Sequence, residues 1–262
     1  MTDELEVVLV QAASGLDPDE NRARLADVVP GDADLVVLPE AWARDFGKPD
    51  SPLGEYAESV DPPGPFVTAL AGVAAEQGTT VVAGMFEQGP DPDRPYNTLV
   101  VRGAVEASYR KIHLYDSFGY RESDRMSAGS LEPVVFDLGG FTVGLMTCYD
   151  LRFPEMARML VDAGAEVLLV PAAWMAGPGK VAHWQTLVRA RAIENTVHVV
   201  AVGQPGPRYC GHSLVVGPLG ETLAEGGEGE EQVRATLRRS DLEQARERNP
   251  SLANRRLGGH GR

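Results

Sequence analysis

Three side chains of complementary chemistry each follow an apolar, β-like run: Glu40, Lys111 and Cys148. A thiol becomes a strong nucleophile once it loses its proton, and its free pKa of about 8.5 means it needs help to do so at neutral pH. A carboxylate can take that proton, and an ammonium can stabilise the charge that develops on an attacked carbonyl oxygen. Cys148 stands in Gly-Leu-Met-Thr-Cys-Tyr-Asp-Leu-Arg-Phe-Pro-Glu, residues 144–155. The apolar run 141–146 precedes it, and a proline-started, helix-like stretch, 154–161, follows. Glu40 closes Leu-Val-Val-Leu-Pro-Glu, residues 35–40, and Lys111 sits in Tyr-Arg-Lys-Ile-His-Leu, residues 109–114. Adjacent strand ends in a layered sheet can converge on one crevice. Histidine is the more usual base for a thiol, and the chain has His113, His183, His198, His212 and His260.

The elements that must carry these residues are legible as a pattern. Apolar, β-branched runs recur at 7–10, 35–38, 79–85, 98–101, 134–136, 141–146, 167–170, 197–202 and 214–216. Several are continuously apolar, as expected of strands covered on both faces. Helix-like segments are predicted at 20–29, 65–77, 154–163, 183–195 and 241–248. The pattern is that of an α/β layered domain. With 262 residues, no internal repeat and no composition shift, the chain reads as one domain, with a core over about 5–250 and a weakly ordered tail at 251–262. Two long stretches, 46–65 with its five prolines and 114–133, read as functional loops, and the Gly/Glu run 225–231 as a solvated turn.

Composition narrows the function classes. The net charge of −14 argues against nucleic acid and anionic membrane as partners. No apolar stretch approaches the ~18 residues of a membrane span. Residues 1–6 are acidic and lack a signal-peptide pattern, and two cysteines cannot form a disulfide framework, so a cytoplasmic location is expected. Lysine is scarce: Lys48, Lys111 and Lys180 stand among 24 basic residues. Codon bias accounts for that scarcity unless chemistry singles one lysine out.

Taken together, the segments resemble the nitrilase superfamily of carbon–nitrogen hydrolases. Leu-Pro-Glu40, Arg-Lys111-Ile-His-Leu and Cys148-Tyr-Asp-Leu-Arg-Phe-Pro-Glu155 are similar to the family's glutamate, lysine and cysteine motifs, in the family's order. Gly-Tyr-Arg-Glu122-Ser is similar to the place of a second active-site glutamate, and residues 211–220 resemble the late strand-turn signature. The segments at 118–129 and 171–192 look most like the small bacterial amidases that hydrolyse deaminated glutathione, and are also similar to ω-amidases acting on α-ketoglutaramate.

The resemblance implies a four-layer α-β-β-α sandwich and a thiol amidohydrolase working through a Cys148 thioester. Glu40 is then the general base, Lys111 and the Tyr149 N–H the oxyanion donors, and Glu122 a helper that orients water. A free carboxylate is a weak base, so the role given to Glu40 demands burial. No metal or organic cofactor is implied, and the family's habit of pairing subunits through helices implies a homodimer or higher homo-oligomer. Arg152 matches a position used to hold a substrate carboxylate; a structural pair with Glu155 is the other reading. Trp174 either walls the pocket or packs in the core. Arg189 and Arg191 are expected to be structural, and Cys210 a free structural thiol. Within the superfamily, N-carbamoyl amino acid amidohydrolase and nitrilase activities stay open. Outside it, the rivals are a Cys-His peptidase using His113 or His183, and a binding protein with a relict site.

Overall fold

In the computed structural model, residues 3–257 are described; His260 and the last part of the expected tail lie outside them. The strands are β1 Glu4–Gln11, β2 Leu35–Val37, β3 Thr80–Glu87, β4 Tyr96–Arg102, β5 Ala107–Arg110, β6 Asp116–Ser117, β7 Tyr120–Arg121, β8 Val135–Leu138, β9 Phe141–Leu145, β10 Val167–Ala172, β11 His198–Gly203, β12 Leu214–Val216, β13 Thr222–Glu225 and β14 Glu231–Arg238. The helices are α1 Pro18–Ala23, α2 Leu25–Val28, α3 Pro65–Gln77, α4 Pro154–Asp162, α5 Lys180–Asn195 and α6 Arg239–Arg248. Two mixed six-stranded sheets form, in the orders β14-β1-β2-β3-β4-β5 and β13-β12-β11-β10-β9-β8. At the centre of each, three strands run parallel: β1, β2 and β3 in the first, β9, β10 and β11 in the second.

The alternation of side chains along each strand creates the layers. Val7 and Leu9 of β1, Leu35 and Val37 of β2 and Val82 of β3 join the core shared with β9, β10 and β11. Their neighbours Val8, Val10, Val36 and Val81 face the other way, onto Phe66, Leu70 and Ala74 of α3. Helices α4 and α5 cover the second sheet through Ala157, Leu160, Trp184 and Val188. This is the four-layer α-β-β-α sandwich that the resemblance implies.

The differences from the sequence pattern have local causes. The expected helix at 20–29 starts earlier, because Asp17 accepts from the Asp19 N–H at its N-terminus and Pro18 fits the first helical position, and it divides at Arg24. Helix α5 starts a turn before His183, after Gly179 with φ of 73°, so Lys180 opens the helix. Strand β14 escapes an apolar-run criterion because it pairs only with β1 and buries just Val233 and Leu237. Residues 226–230 do form the expected turn between β13 and β14. In the tail, Arg255 is tied to Asp162 at the end of α4.

One glycine contact bears on the site. A Cβ at Gly84 of β3 would lie 2.4 Å from the Ala41 nitrogen and 2.8 Å from the Glu40 Cα. The chain leaving β2 is pressed against β3 there, with Gly84 N donating to Pro39 O and Ala43 N to Gly84 O. Gly84→Ala is expected to force the two backbones apart and cost about 1–3 kcal/mol, read as a lowered midpoint in thermal or denaturant unfolding.

Candidate active site

Glu40 follows β2, Lys111 follows β5 and Cys148 follows β9. The first two strands are not neighbours, being separated by β3 and β4, and β9 belongs to the other sheet. The expectation of adjacent strand ends is therefore corrected: the crevice lies where the two sheets face each other. Ala173, just after β10, adds a backbone N–H from the second sheet.

Lys111 is the centre of the arrangement. Its Nζ lies 3.0 Å from Glu40 Oε1 and 2.9 Å from Glu122 Oε2, and donates to Glu122 Oε1 at 3.2 Å. All three side chains are at most 2% exposed. Burying charge is tolerable only when the charges are paired and the remaining lone pairs are satisfied. Asn97 Nδ2 donates to Glu40 Oε1 at 2.7 Å and to Glu122 Oε1 at 3.3 Å. The Ala173 N–H donates to Glu40 Oε2 at 2.7 Å, and the Tyr115 N–H to Glu122 Oε2 at 2.6 Å. Burial alone would pull the Lys111 ammonium down, but Glu122 and Glu40 more than offset it and hold it well above the ordinary lysine value.

Cys148 opens the turn Cys148–Arg152 with φ of 46°, a left-handed conformation uncommon for a residue with a Cβ. Such strain persists only where surroundings over-determine it, and Asp150 does much of that here. Its buried carboxylate accepts from the Thr147 N–H (2.8 Å), the Tyr109 hydroxyl (2.6 Å) and the His113 N–H (3.0 Å), and its Oδ1 lies 2.8 Å from His113 Nδ1. Tyr109 and His113 flank Lys111, so one side chain ties the lysine segment to the cysteine turn. On the other side, the Arg191 guanidinium of α5 donates to the Leu151 carbonyl from Nε and Nη2. Burial first, then the adjoining Glu40 carboxylate, push the Cys148 thiol well above its ordinary value. A thiol held in that direction needs a base beside it to become a nucleophile.

Glu40, Lys111, Glu122, Cys148, Tyr149, Arg152 and Trp174 all line one open cavity of about 290 Å³. Arg152 makes no salt bridge to Glu155; its guanidinium lies over the Trp174 ring, 4.7 Å from the centroid. Trp174 serves in both of its expected capacities, lining the cavity and packing against Trp184 at 5.3 Å. Among the described residues, no histidine lines the cavity, and His113 is stacked on Phe153 at 3.8 Å and bonded to Asp150. That removes the geometric basis for a Cys-His peptidase. Cys210 is buried outside the lining, its thiol pushed up to about 12 by burial. Arg189 bonds to Thr222 and Arg191 to Leu151, the structural roles expected of them.

The residues not foreseen are Asn97, the Ala173 N–H, Asp150, Tyr115 and Lys180. Asn97, a lone amide opening the apolar run of β4, carried the one faint signal; the others depend on contacts between distant segments.

The carbon–nitrogen hydrolase family model matches residues 6–247. The chain belongs to the carbon–nitrogen hydrolase family. It is 38% identical to a hydrolase of Mycobacterium tuberculosis over 95% of both chains. It is also 38% identical to the deaminated glutathione amidase of Escherichia coli O157:H7, over 89% of this chain and 88% of that one. The crystal structure of Nit3 from Saccharomyces cerevisiae, a member of the nitrilase superfamily, superposes with a TM-score of 0.84 at 30% identity, over 95% of each chain. The protein is thus a cysteine-dependent amidohydrolase of the nitrilase superfamily, acting on carbon–nitrogen bonds. Among the described residues, no helix is long and apolar enough to cross a membrane.

Proposed function

We propose that this carbon–nitrogen hydrolase cleaves a small carboxylate-bearing amide, most like deaminated glutathione, with Cys148 as nucleophile. The observation that carries the reading is the Lys111 ammonium held between two buried carboxylates on the wall of the cavity that contains Cys148. Cys148 Sγ attacks the amide carbon as Glu40 takes the thiol proton. The carbonyl oxygen becomes an oxyanion, stabilised by Lys111 and the Tyr149 backbone N–H. Collapse expels ammonia or an amine, which accepts the proton from Glu40, and a thioester remains on Cys148. Water then attacks the thioester carbon and gives its proton to Glu40, which returns it to the departing thiolate. Glu122 holds the Lys111 ammonium in line and, lining the same cavity, helps orient that water.

A compact ammonium suits the position of Lys111, because it donates hydrogen bonds to carboxylates on two sides where a planar guanidinium would not fit. The carboxylate-bearing substrate is supported by Arg152, a guanidinium in the cavity wall whose Nε and Nη2 have no hydrogen-bond partner among the described residues, and by the similarity to the E. coli amidase. The test is a panel of deaminated glutathione, α-ketoglutaramate, an N-carbamoyl amino acid and a simple nitrile, followed by release of amine or ammonia. Deaminated glutathione is expected to have the highest kcat/KM. A higher value for the N-carbamoyl compound or the nitrile would overturn the substrate, and no turnover of any member would overturn the function.

A further inference from the structure

Among the described residues, four cations line the cavity: Lys111, Arg152, Lys180 and Arg208. Two are neutralised by the protein itself. Lys111 pairs with Glu40 and Glu122, and Arg208 Nη1 lies 2.7 Å from Asp45 Oδ1. Lys180 and Arg152 make no salt bridge among the described residues. Lys180 is 9% exposed, and the hydrogen bond shown for its ammonium is to the Tyr115 hydroxyl, at 3.2 Å. Its Nζ rests 3.7 Å from the centroid of the Phe118 ring. The Arg152 guanidinium lies 5.9 Å from the centroid of that same ring, and its Nε and Nη2 are buried without any hydrogen-bond partner.

A buried donor left unmade is costly, and two like charges gathered on one ring without an anion are more so. Burial pulls the Lys180 ammonium below its ordinary range, and the nearby Arg152 adds to that. Cation–π contact with Phe118 softens the cost but accepts no hydrogen bond. A carboxylate entering the cavity beside the two groups would balance their charge and bring acceptors to them.

We propose that Lys180, together with Arg152, forms a two-cation carboxylate subsite on the Phe118 side of the cavity, and that Lys180 sets the preference for anionic over neutral amides. This rests on the amidase reading above and deepens it by naming the side chain that selects the substrate: Lys180, for amides that carry a free carboxylate at the end away from the scissile bond. It also gives a chemical reason for one more of the chain's three lysines. At the first position of α5, Lys180 keeps its flexible stem on the protein and its charge in the cavity.

The experiment compares glutaramate with glutaramide, which replaces the carboxylate by a carboxamide of the same shape. The readout is the ratio of their kcat/KM values, which a general loss of folded enzyme does not move. The wild-type ratio is expected to favour glutaramate by about 10-fold or more, the range of a charge-assisted hydrogen bond. Lys180→Met should lower that ratio by about 10-fold, chiefly through KM for glutaramate, and Lys180→Arg should restore most of it. Lys180→Gln substitutes if the methionine variant does not fold. In a double-mutant cycle with Arg152→Gln, the two losses should be non-additive, because both side chains grip one carboxylate. Equal turnover of the two amides by the wild type, or an unchanged ratio in the Lys180 variants, would overturn the subsite while leaving the amidase reading intact. Turnover of neither amide while a compound of the substrate panel is cleaved would overturn the subsite alone, and turnover of nothing in either set would remove both.

Discussion

Cys148→Ala is expected to lower kcat by at least about 10⁴-fold while leaving the fold intact. The nucleophile is the whole of the covalent route, so nothing else in the cavity can substitute for its sulfur. The structural cost is small, because alanine removes one atom from a cavity wall and inherits the same left-handed backbone. Glu40→Gln should also abolish turnover for a different reason: the thiol remains, but the group that takes its proton does not. The checks are product release, thermal unfolding, and mass spectrometry of acid-quenched enzyme. Wild type should carry the acyl group on Cys148 and the alanine variant should carry none. Turnover within 100-fold of wild type in Cys148→Ala would defeat the mechanism.

Lys111→Met is expected to damage both catalysis and stability. Removing the ammonium leaves Glu40 and Glu122 facing one another in a buried site, where Asn97 and two backbone N–H groups cannot supply a compensating charge. Breaking a buried pair from one side typically costs about 3–5 kcal/mol. Loss of one oxyanion donor takes a further factor of about 10²–10³ from kcat. Equilibrium denaturation and steady-state kinetics separate the two effects, and a variant with wild-type stability would contradict the pairing. The pH behaviour of the intact network follows from the direction of its lysine. The folded-state pKa of Lys111 is raised above its unfolded value, so its contribution is fully present below the unfolded pKa. It is lost only as pH rises through the higher folded value. The network should therefore survive neutral and mildly alkaline conditions, and alkaline unfolding of the wild type should begin above the ordinary lysine range.

Much of the scaffold was readable because its core strands are apolar on both faces. Runs such as 35–38, 141–146 and 167–170 can be buried only in the middle of a layered sheet, and that is where they lie. The proline-started helices α3 and α4 were equally legible, since proline and glycine mark their ends. Strand β14 and the hairpin β6–β7 were not, because edge strands expose polar residues and leave no apolar run. The start of α5 was missed by one turn, and with it the place of Lys180.

The sequence by itself determined the reaction type. Glu40, Lys111 and Cys148 sit in short local motifs, and a local motif is visible wherever the chain later folds. Tertiary structure decided how those residues become one site. Glu40 and Lys111 come from non-adjacent strands of one sheet and Cys148 from the other, so their meeting depends on how the two sheets pack. The same packing decided that Asn97 and the Ala173 N–H bind Glu40, that Asp150 joins the lysine segment to the cysteine turn, and that Arg152 and Lys180 share one aromatic ring. Those contacts span dozens of residues along the chain. Their energies come from burial and pairing in three dimensions, which residue order alone does not encode in any local pattern.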